Sequence, residues 1–342
     1  MARKSRTSRN PVSADLARSR PAKHLQRVVN GKSPPRSGQG DGFFDLQVNG
    51  FAGVDFQQPE LRFAEIHRAM KALHAHQTRR ILFTLITDRI DGLCRKLERV
   101  EEFRRHDVMV ARTIAGYHLE GPYLRREVGF SGAHDASLMS RPRIAEFERV
   151  WSASNGNIRL ITLAPELPGA AEFIAHVAAK GVRVAIGHSN ADESQIDIAI
   201  AAGLRLCTHL GNGVPQQMHR HDNIMQRLLA RDELTAAFIP DGIHLPNNVL
   251  KNFVRSKPAS RVLFTTDCMA AAGAPPGQYS LGRLVTQVGE DGVVRQPDDP
   301  LSFAGSSLTM DTACRNVEDA LDWSRKNAVA ACSSRVAQFF GL

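Results

Sequence analysis

After residue 42 the chain falls into eight short, almost continuously apolar runs, each separated from the next by a longer stretch with helical spacing. The runs are Phe43–Val48, Arg80–Ile86, Thr113–Leu119, Ile158–Ala164, Val182–Gly187, Leu204–Thr208, Thr235–Pro240 and Arg261–Thr266. A strand that is apolar on both faces has to be covered on both faces. Helical patterns such as Leu61–Gln77, Gly92–His106, Ala170–Lys180 and Asn247–Lys257 lie between the runs. Strands alternating with helices imply parallel βαβ units, and eight of them close into an α/β fold of the (β/α)8, TIM-barrel type. No short internal repeat is visible. A chain of 342 residues, 42% of them apolar, has ample material for such a core, and a barrel of this size can be one domain.

In barrels of this kind the chemistry sits at the C-terminal ends of the strands. The runs here end in Gln47-Val48-Asn49, His118-Leu119-Glu120, His188-Ser189-Asn190, Thr208-His209, Asp241-Gly242-Ile243-His244 and Thr266-Asp267. Polar residues thus collect at one rim. Glu120, His188 and His209 would converge there, and one carboxylate with two imidazoles and an open position is a catalytic metal set. Taken singly, either histidine reads sooner as a hydrogen-bonded core residue; their joint position at strand ends with Glu120 reverses that and points to the metal. A divalent ion would polarise an amide carbonyl and acidify a water. Asp267 would handle the proton, its bland alternative being a cap on the following loop. In the stretch Thr208–Asn223, Asn212 offers an amide, Gly213 a close backbone approach, and Arg220 a guanidinium matched to phosphate. The loops around Gly132-Ala133-His134 and Ala304-Gly305-Ser306-Ser307 are further rim candidates, with His134 and Ser306 as substrate contacts. Cys207 and Cys268 flank the site and read as small buried fillers.

The basic balance is local. Residues 1–40 hold ten Lys/Arg against the single acid Asp15, which accounts for the whole net charge of +9 and leaves the remainder neutral. The folded part therefore gives no reason to expect nucleic acid. Residues 1–42 are rich in Arg, Ser and Pro and are expected to form a basic, disordered tail ahead of a catalytic barrel over 43–342; an organelle-targeting segment or an anion-binding arm are the alternatives. No apolar stretch approaches membrane-spanning length, and no apolar region typical of a signal peptide follows the N-terminus. Five cysteines without a C-x-x-C suit a reducing compartment, and the chain is expected in the cytoplasm.

The segments FFDLQVNGFAGVDF, YHLEGPYL with GAHD downstream, LITLAPE, IGHSNA, THLGNGVP, DGIHL, TTDCMAAAG and FAGSSLTM follow one another from residue 43 to about 315. In that order they resemble the N-acetylglucosamine-6-phosphate deacetylases of the amidohydrolase superfamily. The resemblance implies Glu120, His188 and His209 as metal ligands, Asp267 as general base and acid, and Asn212, Gly213 and His244 as substrate contacts. It also places Arg220 in register with an arginine that binds the sugar phosphate. In the family the counterpart of His244 can reach a neighbouring subunit, which implies a homodimer. Many amidohydrolases carry His-x-His at strand one; Gln47-Val48-Asn49 stands there instead, so one divalent metal, zinc first, is expected rather than two. His221-Asp222-Asn223 replaces the family's Glu-Pro-Gly after the arginine, and Gly211 stands where a larger residue is common. The family's small β-sandwich, built from both chain ends, is expected to be missing or truncated. The implied reaction is hydrolysis of the N-acetyl group of N-acetylglucosamine 6-phosphate, to glucosamine 6-phosphate and acetate. An unphosphorylated acetamido sugar or another N-acyl amine as substrate, or an inactive truncated homologue, are the alternatives.

Overall fold

The structure of the protein is a computed structural model that describes residues 42–296 and 299–342, without the side chains of 299–302. The disordered tail expected over residues 1–42 lies outside the described residues, Gly42 excepted.

All eight expected strands form one parallel sheet in chain order. They are β1 (Phe43–Val48), β2 (Thr78–Ile86), β3 (Ile114–Glu120), β4 (Ile158–Leu163), β5 (Arg183–Ile186), β6 (Leu204–Cys207), β7 (Thr235–Phe238) and β8 (Val262–Phe264). Each is followed by helical chain, including Phe63–Ala75, Ile90–His106, Ala170–Ala179 and Asn247–Arg255. Side chains alternate across the sheet with period two. Phe83, Ile161, Val184, Phe238 and Phe264 pack outward against the helices. Phe44, Leu46, Leu82, Leu160, Ala185, Leu206, Ala237 and Leu263 face inward, so strands from almost all round the barrel share one inner cluster. The final helix, Ser334–Phe340, packs Val336, Ala337 and Phe340 against that cluster, away from the polar rim.

The seam between β1 and β8 is closed by side chains as much as by backbone. Asn49 N–H donates to the Cys268 carbonyl at 2.7 Å. Lower on the same seam, the buried Asp45 carboxylate accepts from Thr265 Oγ1 at 2.6 Å, from Thr266 N–H at 3.2 Å and from Thr266 Oγ1. Burial outweighs these bonds and pushes Asp45 up to about 6 from an ordinary 3.8. The folded chain thus holds this proton more tightly than the unfolded one. The stability it contributes is present below about pH 4 and lost as pH rises through about 6, on the order of 3 kcal/mol at most. In Asp45→Asn, the decline of melting temperature between those two pH values should flatten relative to wild type; an unchanged slope would show that Asp45 does not titrate there.

Between β8 and the helix Met310–Leu321 the chain makes an excursion that the strand pattern did not announce. Four antiparallel strands follow in order: β9 (Gly277–Leu281), β10 (Leu284–Val288), β11 (Val294–Gln296) and β12 (Asp299–Phe303). All four are short, and the first three are half exposed, so no long apolar run marks them. Among the described residues no sheet joins the two ends of the chain.

Candidate active site

The rim residues meet in a cavity of about 460 Å³ at the C-terminal mouth of the barrel. Its lining includes Glu120, His134, His188, His209 and Asp267, with Asn212, Gly213 and His244 around them. Ile86, Leu281, Gln296 and Phe303 complete the wall, three of them from the unforeseen excursion. Two expected residues are elsewhere. Ser306 is buried, with its hydroxyl donating to the Thr266 carbonyl at 2.6 Å and accepting from Leu308 N–H at 3.1 Å; it secures the end of β8 and does not line the cavity. Arg220 is exposed and outside the lining. Asp222, of the His221-Asp222-Asn223 departure, turns to Arg227 (Nε–Oδ1 2.9 Å) and is also absent from the lining.

Glu120 is the centre of the arrangement. Its Oε1 lies 2.8 Å from His209 Nε2 and 3.3 Å from His188 Nε2, and its Oε2 accepts from Gln47 Nε2 at 3.0 Å. His188 Nδ1 donates to the Phe130 carbonyl at 2.7 Å, so that nitrogen carries the ring proton. In the neutral ring, the lone pair on Nε2 then faces a carboxylate oxygen. Two electron-rich atoms at that separation call for a cation between them, and the carbonyl-anchored imidazole is the usual outer arrangement of a metal-ligating histidine. Among the described residues, the buried Nδ1 of His209, Oε1 of Gln47 and Oδ1 of Asn49 have no hydrogen-bond partner. The donor set of one carboxylate and imidazoles fits a divalent ion.

Glu120, His134 and His188 also offer ligand atoms all within 4.8 Å of one another. The tautomer separates His134 from the other histidines. Its Nδ1 accepts from Thr87 N–H at 3.4 Å and lies 2.9 Å from Thr87 Oγ1, so the proton is on Nε2. Burial, and then the neighbouring His188, lower it to about 3, which keeps the ring neutral. His134 is therefore an N–H donor towards the cavity, its Nε2 standing 3.7 Å from Glu120 Oε2.

Asp267 Oδ1 accepts from Asn49 Nδ2 at 2.7 Å. Burial first, and the Glu120 charge second, push it up to about 6. Gln47 and Asn49, which the sequence marked only as absent ligands, thus each hold one of the two site carboxylates. The sequence also missed the polar belt below: His118 Nε2 meets Thr162 Oγ1 at 2.8 Å, and Thr162 meets Thr208 at 2.7 Å, inside the barrel. Cys207 and Cys268 are buried, as expected of fillers.

The backbone concentrates strain here. Among the described residues seven non-glycine residues have positive φ, and three are His188 (+51°), His209 (+27°) and Asp267 (+51°). Such conformations gather at functional sites, where surroundings over-determine them. Gly213, at φ +65°, passes so close that a Cβ there would lie 2.8 Å from His188 Nδ1. Gly211, at φ +103°, holds a backbone conformation that side-chain-bearing residues rarely adopt, and a Cβ there would stand 2.7 Å from Leu245 Cδ2, so that side chain would have to shift. His244 Nδ1 bonds Asp241 Oδ2 at 2.6 Å, and its ring packs against Phe303 at 5.0 Å.

Comparison with known proteins agrees with this geometry. No family model matches the chain. The chain is 31% identical over 310 residues to the N-acetylglucosamine-6-phosphate deacetylase of Bos taurus, covering 88% of this chain and 74% of the relative. It is 30% identical to the N-acetylgalactosamine-6-phosphate deacetylase of Escherichia coli O157:H7, covering 88% and 77%. The chain belongs to the N-acetylglucosamine-6-phosphate deacetylase family. The solved N-acetyl-D-glucosamine-6-phosphate deacetylase of Mycobacterium smegmatis superposes with a TM-score of 0.80 at 29% identity, covering 92% of this chain and 83% of that one. A mutant of it in complex with N-acetyl-D-glucosamine-6-phosphate gives 0.80 at 30% identity, covering 88% and 77%. The chain is thus a member of a hydrolase family on a TIM-type barrel, and that family implies a divalent metal. No helix among the described residues is long and apolar enough to cross a membrane.

Proposed function

We propose that the protein hydrolyses the N-acetyl group of N-acetylglucosamine 6-phosphate, releasing acetate and glucosamine 6-phosphate. The observation that carries this reading is the facing of His188 Nε2 and His209 Nε2 onto one Glu120 oxygen, in a chain of deacetylase ancestry. Glu120, His188 and His209 would hold one divalent ion, zinc first. When bound, it supplies Lewis-acid polarisation of the amide and a water that loses its proton near neutrality. Asp267 takes that proton and passes it to the leaving nitrogen as the carbon–nitrogen bond breaks. Asn49 fixes the receiving oxygen by occupying the same carboxylate. His134 presents Nε2–H to a substrate oxygen, while Asn212, Gly213 and His244 line the space for the sugar.

Among the described residues no lysine or arginine lines the cavity, and Arg220, on the loop that leaves the same rim, is the cation proposed for the phosphate end of the substrate. A guanidinium gives paired donors for phosphate oxygens. The deciding measurement is kcat/KM for the 6-phosphorylated and the free sugar, in wild type and Arg220→Ala. The phosphorylated sugar should lose roughly ten- to several-hundredfold, as removal of a charged hydrogen bond does, with the free sugar nearly untouched. Equal efficiency on both sugars, unaltered by the substitution, would favour the unphosphorylated alternative. A homodimer and a cytoplasmic location belong to the same reading; sedimentation of the purified protein tests the first, and all five cysteines are free thiols, as the second requires.

A further inference from the structure

Glu166 closes the segment Leu160–Glu166 just beyond β4, and none of the chemistry above uses it. We infer that Glu166 is the positioning residue for His188, setting that imidazole for the metal; the inference rests on His188 being a ligand.

The Glu166 side chain is only 8% exposed. Its Oε2 accepts from Ser189 Oγ at 2.6 Å and its Oε1 from Asn190 N–H at 2.8 Å, so it grips the two residues that follow His188. Oε1 also meets Arg125 Nη1 at 3.5 Å. Arg125 reaches His188 by two routes. Its backbone N–H donates to the His188 carbonyl at 3.0 Å. Its guanidinium lies 5.1 Å over the ring of Phe130, whose carbonyl accepts from His188 Nδ1 at 2.7 Å. The direct hold of Glu166 is therefore on the main chain after His188, through Ser189 and Asn190; its contact with Arg125 is the longer one, and the Arg125 guanidinium is also bonded by Glu127 (Nη2–Oε2 2.6 Å).

His188 sits at φ +51°, a region that non-glycine residues avoid and keep only where neighbours over-determine it. Ser189 and Asn190 are the neighbours that would relax first, and Glu166 is what holds them. Groups that orient ligands from behind typically change metal affinity ten- to a hundredfold when removed. Glutamine at this position keeps the volume and an acceptor for Asn190 N–H but loses the charge that meets Arg125.

The test is the Zn²⁺ dissociation constant of the folded protein, by competition with a chromogenic chelator, together with the visible spectrum of the Co²⁺ form. Glu166→Ala should bind Zn²⁺ about ten- to a hundredfold more weakly with altered Co²⁺ bands, and Glu166→Gln should recover part of the loss. Ser189→Ala, which removes one contact, should give a smaller loss in the same direction, and it carries the test with Glu166→Gln if the alanine variant does not fold. Affinities within about twofold of wild type and an unchanged Co²⁺ spectrum would overturn the inference, however far melting temperatures fall. Wild-type protein that binds no metal would overturn the metal reading itself, a result distinguishable from unaltered binding in the variants.

Discussion

Asp267→Asn should lower kcat by about a hundred- to ten-thousandfold while leaving metal content and melting temperature close to those of wild type. The size is that of a lost proton-transfer group. Asparagine is the informative substitution for a backbone reason. Residue 267 sits at φ +51°, and asparagine tolerates the left-handed region better than most side chains, whereas alanine would add strain to the chemical loss. The amide is nearly isosteric and can still offer an oxygen to Asn49 Nδ2, the contact seen at 2.7 Å. It cannot accept a proton at neutral pH. Near-normal kcat in the folded, metal-loaded variant would mean that another group moves the proton. A large loss of metal would instead assign Asp267 to the ligand set.

Glu120→Ala should remove the metal and nearly all turnover together. Wild type should carry about one divalent ion per chain by elemental analysis, and a chelator should abolish activity that added Zn²⁺ restores. Glu120 Oε1 faces both His188 Nε2 and His209 Nε2, so in the proposed site its loss would take away the carboxylate ligand and leave the two buried imidazoles without it. Affinity should fall by more than the roughly hundredfold typical of groups behind the ligands. A second readout is thermal. Metal at about a hundred times its dissociation constant stabilises the folded state by about 2.7 kcal/mol, so Zn²⁺ should raise the melting temperature of wild type and not of Glu120→Ala. His209→Ala should behave similarly. His134→Ala should keep the metal, because His134 presents a protonated Nε2. Two ions per chain, or loss of metal in His134→Ala, would require a different ligand set.

The site was legible in the sequence to the depth that strand ends are legible. Glu120, His188, His209 and Asp267 each fall at the end of an apolar run, and a parallel barrel brings all such ends to one rim whatever lies between them. His134, Asn212, Gly213 and His244 followed from loops leaving the same rim, and all four line the cavity. The same reasoning did not say where Ser306 and Arg220 would stand relative to the cavity, and neither is in its lining. Being on a rim loop does not say which way a side chain points, and Ser306 turns back to the Thr266 carbonyl while Arg220 turns out. Gln47 and Asn49 were read only as ligands not present. Their donation to Glu120 and Asp267 joins residues 73 and 218 positions apart, which no local pattern reports.

The sequence alone determined the fold class, the number and order of the barrel strands, and the rim on which the chemistry gathers. These depend on burial, and burial imprints a short period on hydrophobicity that can be read residue by residue. Tertiary structure alone decided the pairings: Asp45 with Thr265 and Thr266 across the seam, Glu166 with Ser189 and Arg125 behind His188, and the proton on His134 Nε2 rather than Nδ1. A hydrogen bond is fixed by distances of a few tenths of an ångström between groups far apart in the chain. Those distances exist only once the barrel has closed.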